Sequence, residues 1–212
     1  MTVPNQQSGE IDIPETGARA RTWRLMVDVA SQMMREGRTP SVSEVAEEAN
    51  VSRSTAYRYF PAQSSLVQAV VAETLGPILD WETEAKDVFE RLASLYGTSL
   101  PGIIENEATF RAALRQSIES QDELTIAENR RYGRGHRVDL INRALEGLDL
   151  PEPDIRRLAK ALSMTFGIEN IIVLRDIWNC SDEEIGALCS WAARAMVRTA
   201  LEEGGVKQVG SL

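Results

Sequence analysis

The chain has 212 residues, 43% of them hydrophobic and 26% charged, and a formal net charge of −9. That composition is ordinary for a folded globular protein and argues against wholesale disorder or a collagen-like chain, and no apolar run approaches the roughly 20 residues of a membrane-spanning helix. Residues 1–17 are polar and hold Glu10, Asp12 and Glu15 where a secretory signal would have basic and then apolar residues, so a disordered leader on a cytoplasmic protein without membrane attachment is expected.

The first helical stretch runs from about Thr16 to Glu36, where Trp23, Met26, Ala30 and Met33 mark one face and Gly37 and Pro40 end it. Ser41-Val42-Ser43-Glu44 is a capping box: the serine oxygen accepts a free first-turn N–H while the glutamate reaches back. The short helix it opens shows Val42, Val45, Ala46 and Ala49 on one face, and Asn50 is a residue able to take the left-handed turn conformation. Val51 plugs that turn. Ser52 then caps a second short helix, Arg53 to Phe60, with Ala56 and Phe60 four apart and facing inward, and Pro61 forces its end.

Longer amphipathic helices follow, expected at Gln63–Leu79, Trp81–Tyr96, Glu107–Ser120, Leu124–Leu148, Asp154–Trp178 and Ser181–Glu202. Gly76-Pro77, Leu100-Pro101-Gly102 and Pro151-Glu152-Pro153 mark the breaks, and Ser181 to Glu184 is a second capping box. The fold class is therefore all-α. Cys180 and Cys189 make no disulfide framework, and neither metal-ligand spacing nor a glycine-rich phosphate loop occurs, so no metal and no cofactor is expected.

An acidic chain is at first sight a poor partner for phosphates, but the charge is unevenly spread. Between Arg19 and Gln63 seven arginines face five acids, a balance of +2, which leaves −11 for the remainder. Two short helices joined by a tight turn, the second rich in outward hydrogen-bond donors, are what a helix-turn-helix needs to enter a major groove. Arg53 in the first turn can offer paired N–H bonds to guanine, and Ser54 beside it lets the backbone approach. Thr55, Tyr57 and Tyr59 carry hydroxyls suited to phosphate oxygens. The arginines from Arg19 to Arg24 form either a solvated helix start or an arm along the DNA.

On the spacing Val45-Ala46, Ala49-Asn50-Val51-Ser52, Thr55-x-Tyr57-x-Tyr59-Phe60 and Leu66-Val67, the segment Ser41 to Val71 resembles the DNA-binding signature of the TetR family of bacterial one-component transcriptional regulators. The resemblance implies a helix-turn-helix DNA-binding domain over residues 18–62 and a larger helical effector-binding and dimerisation domain over 63–212. It implies a homodimer that binds double-stranded operator DNA and is usually released by a small-molecule effector. Carried over, Arg53, Ser54 and Thr55 take the family's contacting start of the recognition helix, Tyr57 and Tyr59 its phosphate-contacting aromatics, and Ser41 and Ser43 its backbone contacts. Three departures stand out: Asn50 for the usual turn glycine, Ala56 for a frequent leucine, and Gln63 for a frequent phosphate-binding lysine.

The C-terminal part yields less. Ile185, Leu188, Trp191, Ala192 and Ala195 on the last helix suit close packing against a partner, or else burial within one chain. Ile155, Leu158, Leu162 and Phe166 define a stripe that Glu169 continues, directing a carboxylate inward, where it needs a partner such as Arg115 or His136 or meets a polar group of the effector. Phe89, Phe110, Leu114, Tyr132 and Met164, with Trp81, Tyr96 and Leu140, either line a pocket or form plain core. Two other classes compete with the regulator: an enzyme using Glu169 and His136 as acid and base, and a helical interaction module without DNA binding.

Overall fold

The computed structural model describes residue 14 and residues 16–119 and 135–209. Helix α1 (Gly17–Arg35) buries Ala20, Trp23, Met26, Val27, Ala30, Met33 and Met34 along one side. It stops at Gly37, whose φ of +80° is open to glycine, with the Gly37 N–H donating to Met34 and the Arg38 N–H to Met33. Helices α2 (Val42–Glu48) and α3 (Arg53–Tyr59) follow, then α4 (Gln63–Leu79), which packs on α1 through Leu66, Val67 and Val70. Phe60 is wholly buried with its ring 6.1 Å from that of Trp23, a burial that stabilises by about 1.5–3 kcal/mol.

Beyond α4 come α5 (Val88–Glu105), α6 (Glu107–Glu119), α7 (Gly135–Leu145), α8 (Glu152–Leu162), α9 (Ile168–Ile172) and α10 (Asp182–Val209). No strand occurs among the described residues, and no helix among them is long and apolar enough to cross a membrane. Helix α5 lies between α7 and α10, while α6 reaches back to both α1 and α4. The buried side chains of the first three helices are continuous through α4 with those of the larger bundle.

Three expectations about elements need correction. The helix expected at Trp81–Tyr96 begins only at Val88, where Asp87 caps it by accepting from the Phe89 and Glu90 N–H groups, and it runs through Leu100-Pro101-Gly102 to Glu105. The N–H that Pro101 lacks would have met the carbonyl of Gly97, an exposed position where water can serve it. The single helix expected over Asp154–Trp178 is broken: Ser163 and Thr165 hydroxyls bond the carbonyls of Ala159 and Leu162, and Gly167 takes φ +130°. After α9 the chain widens into a π-helical turn, Val173–Ile177, closed by Asn179 at φ +53°. Of the helix expected at Leu124–Leu148, residues 124–134 lie outside the described residues, as does most of the 1–17 leader.

Candidate nucleic-acid interface and interior cavity

Both short helices are set by their caps. The Ser41 Oγ accepts from the Glu44 N–H at 3.2 Å, and Glu44 Oε2 accepts from the Ser41 N–H at 2.8 Å. These bonds, the backbone one foremost, hold the Glu44 carboxyl below its ordinary pKa. Asn50 sits at φ +55°, its N–H donating to Glu47 while the Val51 N–H donates to Ala46, so the turn closes as the sequence requires. Ser52 Oγ accepts from the Thr55 N–H at 3.2 Å and donates to Thr55 Oγ1 at 2.8 Å.

Helix α3 is thereby fixed with Ala56 and Phe60 buried and with Arg53, Ser54, Tyr57 and Arg58 exposed. Tyr57 Oη lies 3.2 Å from Ser43 Oγ, joining α2 to α3 at their outer edge. Thr55 and Tyr59 are only half-exposed. The Tyr59 ring packs beside Phe60 with the Arg19 and Arg58 guanidinium groups each 5.8 Å from its centroid, which puts an α1 arginine at the edge of the recognition helix. Gln63 is exposed but tied to the chain: its Nε2 donates to the carbonyls of Thr39 and Pro40 at 3.1 and 3.0 Å. It braces the α1–α2 connection where a lysine would reach for phosphate.

A cavity of about 120 Å³ lies between α4, α6, α7 and the break before α9. Its walls are mostly apolar, among them Val71, Ile78, Phe110, Leu114, Leu140 and Phe166, with His136, Arg137 and Glu169 at one end. Of the residues expected there, Phe110, Leu114, His136 and Glu169 line it; Phe89, Arg115 and Met164 do not. Phe89 packs half-buried in the first turn of α5, Arg115 is exposed on α6, and Met164 is 69% exposed because the break at 163–167 turns it outward. Tyr132 lies outside the described residues. Trp81 and Tyr96 are core: Trp81 Nε1 donates to Ser94, and Tyr96 Oη lies 2.8 Å from Thr165 Oγ1.

The partner of Glu169 is neither Arg115 nor His136 but Arg137, whose Nη2 donates to Oε2 at 2.6 Å. The sequence did contain a signal for it. Arg137 stands three, four and seven residues before Leu140, Ile141 and Ala144, all buried, and so falls on the inward stripe of α7.

On the outer side, the faces expected to pair are partly free. Leu188 and Trp191, the latter 70% exposed, stand out from α10 with Ala192 and Ala195 near them, and Ile177 and Trp178 project alongside, each 72% exposed. Ile185 is the exception, fully buried in its own core against the expectation of an interface. Met164, Val173 and Leu174 line a shallow groove with Leu188, Trp191 and Ala192.

Comparison with known proteins bears on these features in turn. Residues 38–70, which span the two short helices and the turn, match the family of bacterial regulatory proteins of the tetR type. Over 56 residues the chain is 38% identical to the HTH-type transcriptional repressor LfrR of Mycolicibacterium smegmatis, a stretch covering 26% of this chain and 30% of that protein. The helix-turn-helix segment is therefore similar to that of the TetR family. A tetR-family transcriptional regulator from Streptomyces coelicolor shares the fold with a TM-score of 0.66 at 17% identity, over 90% of this chain and 87% of that one. A TetR transcriptional regulator from Rhodococcus sp. RHA1 gives 0.58 at 18% identity, over 83% and 96%. The helix-turn-helix thus carries the sequence likeness, while the larger helical part is alike in fold only.

Proposed function

We propose that this chain is a homodimeric transcriptional repressor that holds double-stranded operator DNA with α2 and α3 and releases it when a small-molecule effector occupies the cavity. The observation that carries this reading is the two-sidedness of α3: Ala56 and Phe60 anchor it in the core while Arg53, Ser54 and Tyr57 are exposed at its outer edge. In that arrangement Arg53 addresses base edges, Ser54 the close approach, and Tyr57 with Ser43 the phosphates. Thr55 and Ser41, which serve the caps, and Tyr59, clasped by two arginines, act at the margin of the contact, and Gln63 orders the loop beside it.

Residues 18–62 do the DNA binding and residues 63–212 the sensing and pairing. Dimerisation joins the faces bearing Trp178, Leu188 and Trp191, so that two copies of α3 reach successive major grooves about 34–36 Å apart. The sign, repression, is taken from the similarity to a named repressor. The location that fits is the cytoplasm.

Selection of duplexes from a random pool, followed by fluorescence anisotropy on the enriched fragment, tests the reading. A two-fold symmetric site is expected, and Arg53→Ala should weaken binding by about 1–3 kcal/mol with relaxed preference at one base pair per half-site. Failure to enrich any duplex, or unchanged affinity in both Arg53→Ala and Tyr57→Phe, overturns it.

A further inference from the structure

Among the polar residues that line the cavity, which include Gln68, Gln116, Ser117 and His136, Arg137 and Glu169 form an ion pair. Arg137 donates through Nη2 to Glu169 at 2.6 Å and through Nη1 to the Ser163 carbonyl at a long 3.3 Å. A guanidinium has five N–H donors, so among the described residues three are uncommitted, on a group facing a mainly apolar chamber with the His136 ring beside it in the wall. The seat of this guanidinium is built into the backbone. Gly167 has φ +130°, and a Cβ there would stand 2.1 Å from Arg137 Nη2 and 2.9 Å from Glu169 Oε2.

The two charges are not equivalent in their access. Glu169 also lines an outer groove with Met164, Leu188 and Trp191, and its side chain is 43% exposed; Arg137 lines the interior cavity and not that groove, and is 26% exposed. The interior end therefore presents more donors than acceptors. We propose that the cavity takes a compact anionic amphiphile, an apolar ring or short chain ending in a carboxylate that seats on Arg137. This inference rests on the reading of the cavity as the effector site. Size limits the body of the guest: a dry apolar cavity of about 150 Å³ accepts benzene, and this one is about 120 Å³, so only a small apolar group fits inside and the carboxylate has to lie out at the Arg137 end.

Probes that share a body and differ in charge test it on the full-length chain. Benzoate, benzamide and benzamidinium are titrated by calorimetry and thermal unfolding, with hexanoate and hexanamide for a chain-shaped body. Benzoate or hexanoate should bind roughly tenfold or more tighter than its amide, the difference expected of hydrogen bonds to a charged group, and benzamidinium no better than benzamide. Arg137→Gln should erase the preference for the acid. Glu169→Gln, which removes the competing carboxylate and keeps an acceptor for Arg137, should tighten acid binding several-fold and decides the matter if Arg137→Gln fails to fold. Absence of binding by both acids, equal binding of acid and amide, preference for the cation, or acid affinity left unchanged by Glu169→Gln overturns the proposal. Duplex binding measured in parallel separates the two readings. Acid binding without duplex binding removes the regulator and leaves the site, and duplex binding without acid binding removes the site alone.

Discussion

Gly167 is where one missing carbon matters most. Its φ of +130° is a conformation that side chains rarely adopt, and its α-carbon faces the Arg137–Glu169 pair closely enough to exclude a methyl group. Gly167→Ala should therefore lower the urea midpoint by the equivalent of about 1–3 kcal/mol. In the Arg137→Ala background the loss should be smaller, since the closest clash is gone and the Glu169 contact and the backbone strain remain. Tyr96 offers a pH-dependent counterpart. Burial, partly offset by the Thr165 hydrogen bond, pushes its phenol up to about 12, against about 10 in an unfolded chain. Because the folded state favours the neutral phenol, the stabilisation is complete below pH 10 and is lost as pH rises through about 12. Denaturation curves across that range should fall less steeply for Tyr96→Phe, and the phenolate absorbance missing from that variant should be the part that develops near pH 12. Residue roles of this kind were only half legible in the sequence. Glu169 could be placed on an inward stripe, but its partner lies on another helix, and choosing Arg115 or His136 over Arg137 was a choice between contacts that only the packing of α7 against the break fixes.

At the scale of elements, whatever depended on local chemistry could be read directly. The caps at Ser41, Ser52 and Ser181 and the turn at Asn50 are made by neighbours in sequence, and all four are found. Asn50 is a case where the departure from glycine can be tested. Its φ of +55° lies in the left-handed region, which disfavours residues with a Cβ by about 1–2 kcal/mol and is tolerated by asparagine. Asn50→Ala should cost about 1 kcal/mol of stability in chemical denaturation, and Asn50→Gly should be neutral or slightly stabilising. Elements set by tertiary packing were less legible. Pro101 reads as a break yet sits inside α5, because the bundle holds the helix on both sides of an exposed carbonyl that water can reach. The stretch 154–178 reads as one helix by periodicity alone, and periodicity does not register two hydroxyls turning back on the backbone ahead of a glycine.

The whole molecule poses a problem of scale that no single helix-turn-helix solves. A recognition helix of seven residues, Arg53–Tyr59, offers few base contacts. The surrounding window carries a charge of only +2, and Gln63 is tied to the loop where an ionic phosphate contact would stand. One protomer should then bind duplex weakly and with a shallow salt dependence. Useful affinity has to come from two protomers held at the right spacing, where the second contact becomes effectively intramolecular. On the proposed reading, the outer face of α10 matters to DNA binding as much as α3 itself. Trp191 is 70% exposed on α10, so Trp191→Glu should leave the fold of the protomer intact while placing a charge in the proposed dimer contact. Sedimentation should show a monomer at concentrations where the parent chain is a dimer, with unchanged helical circular dichroism. Affinity for a two-half-site operator should fall by about 10²-fold or more, the lower end of what linkage of two modules contributes, whereas affinity for an isolated half-site should not change. A monomeric variant that still held the full operator tightly would show that α3 and its neighbours carry the affinity alone.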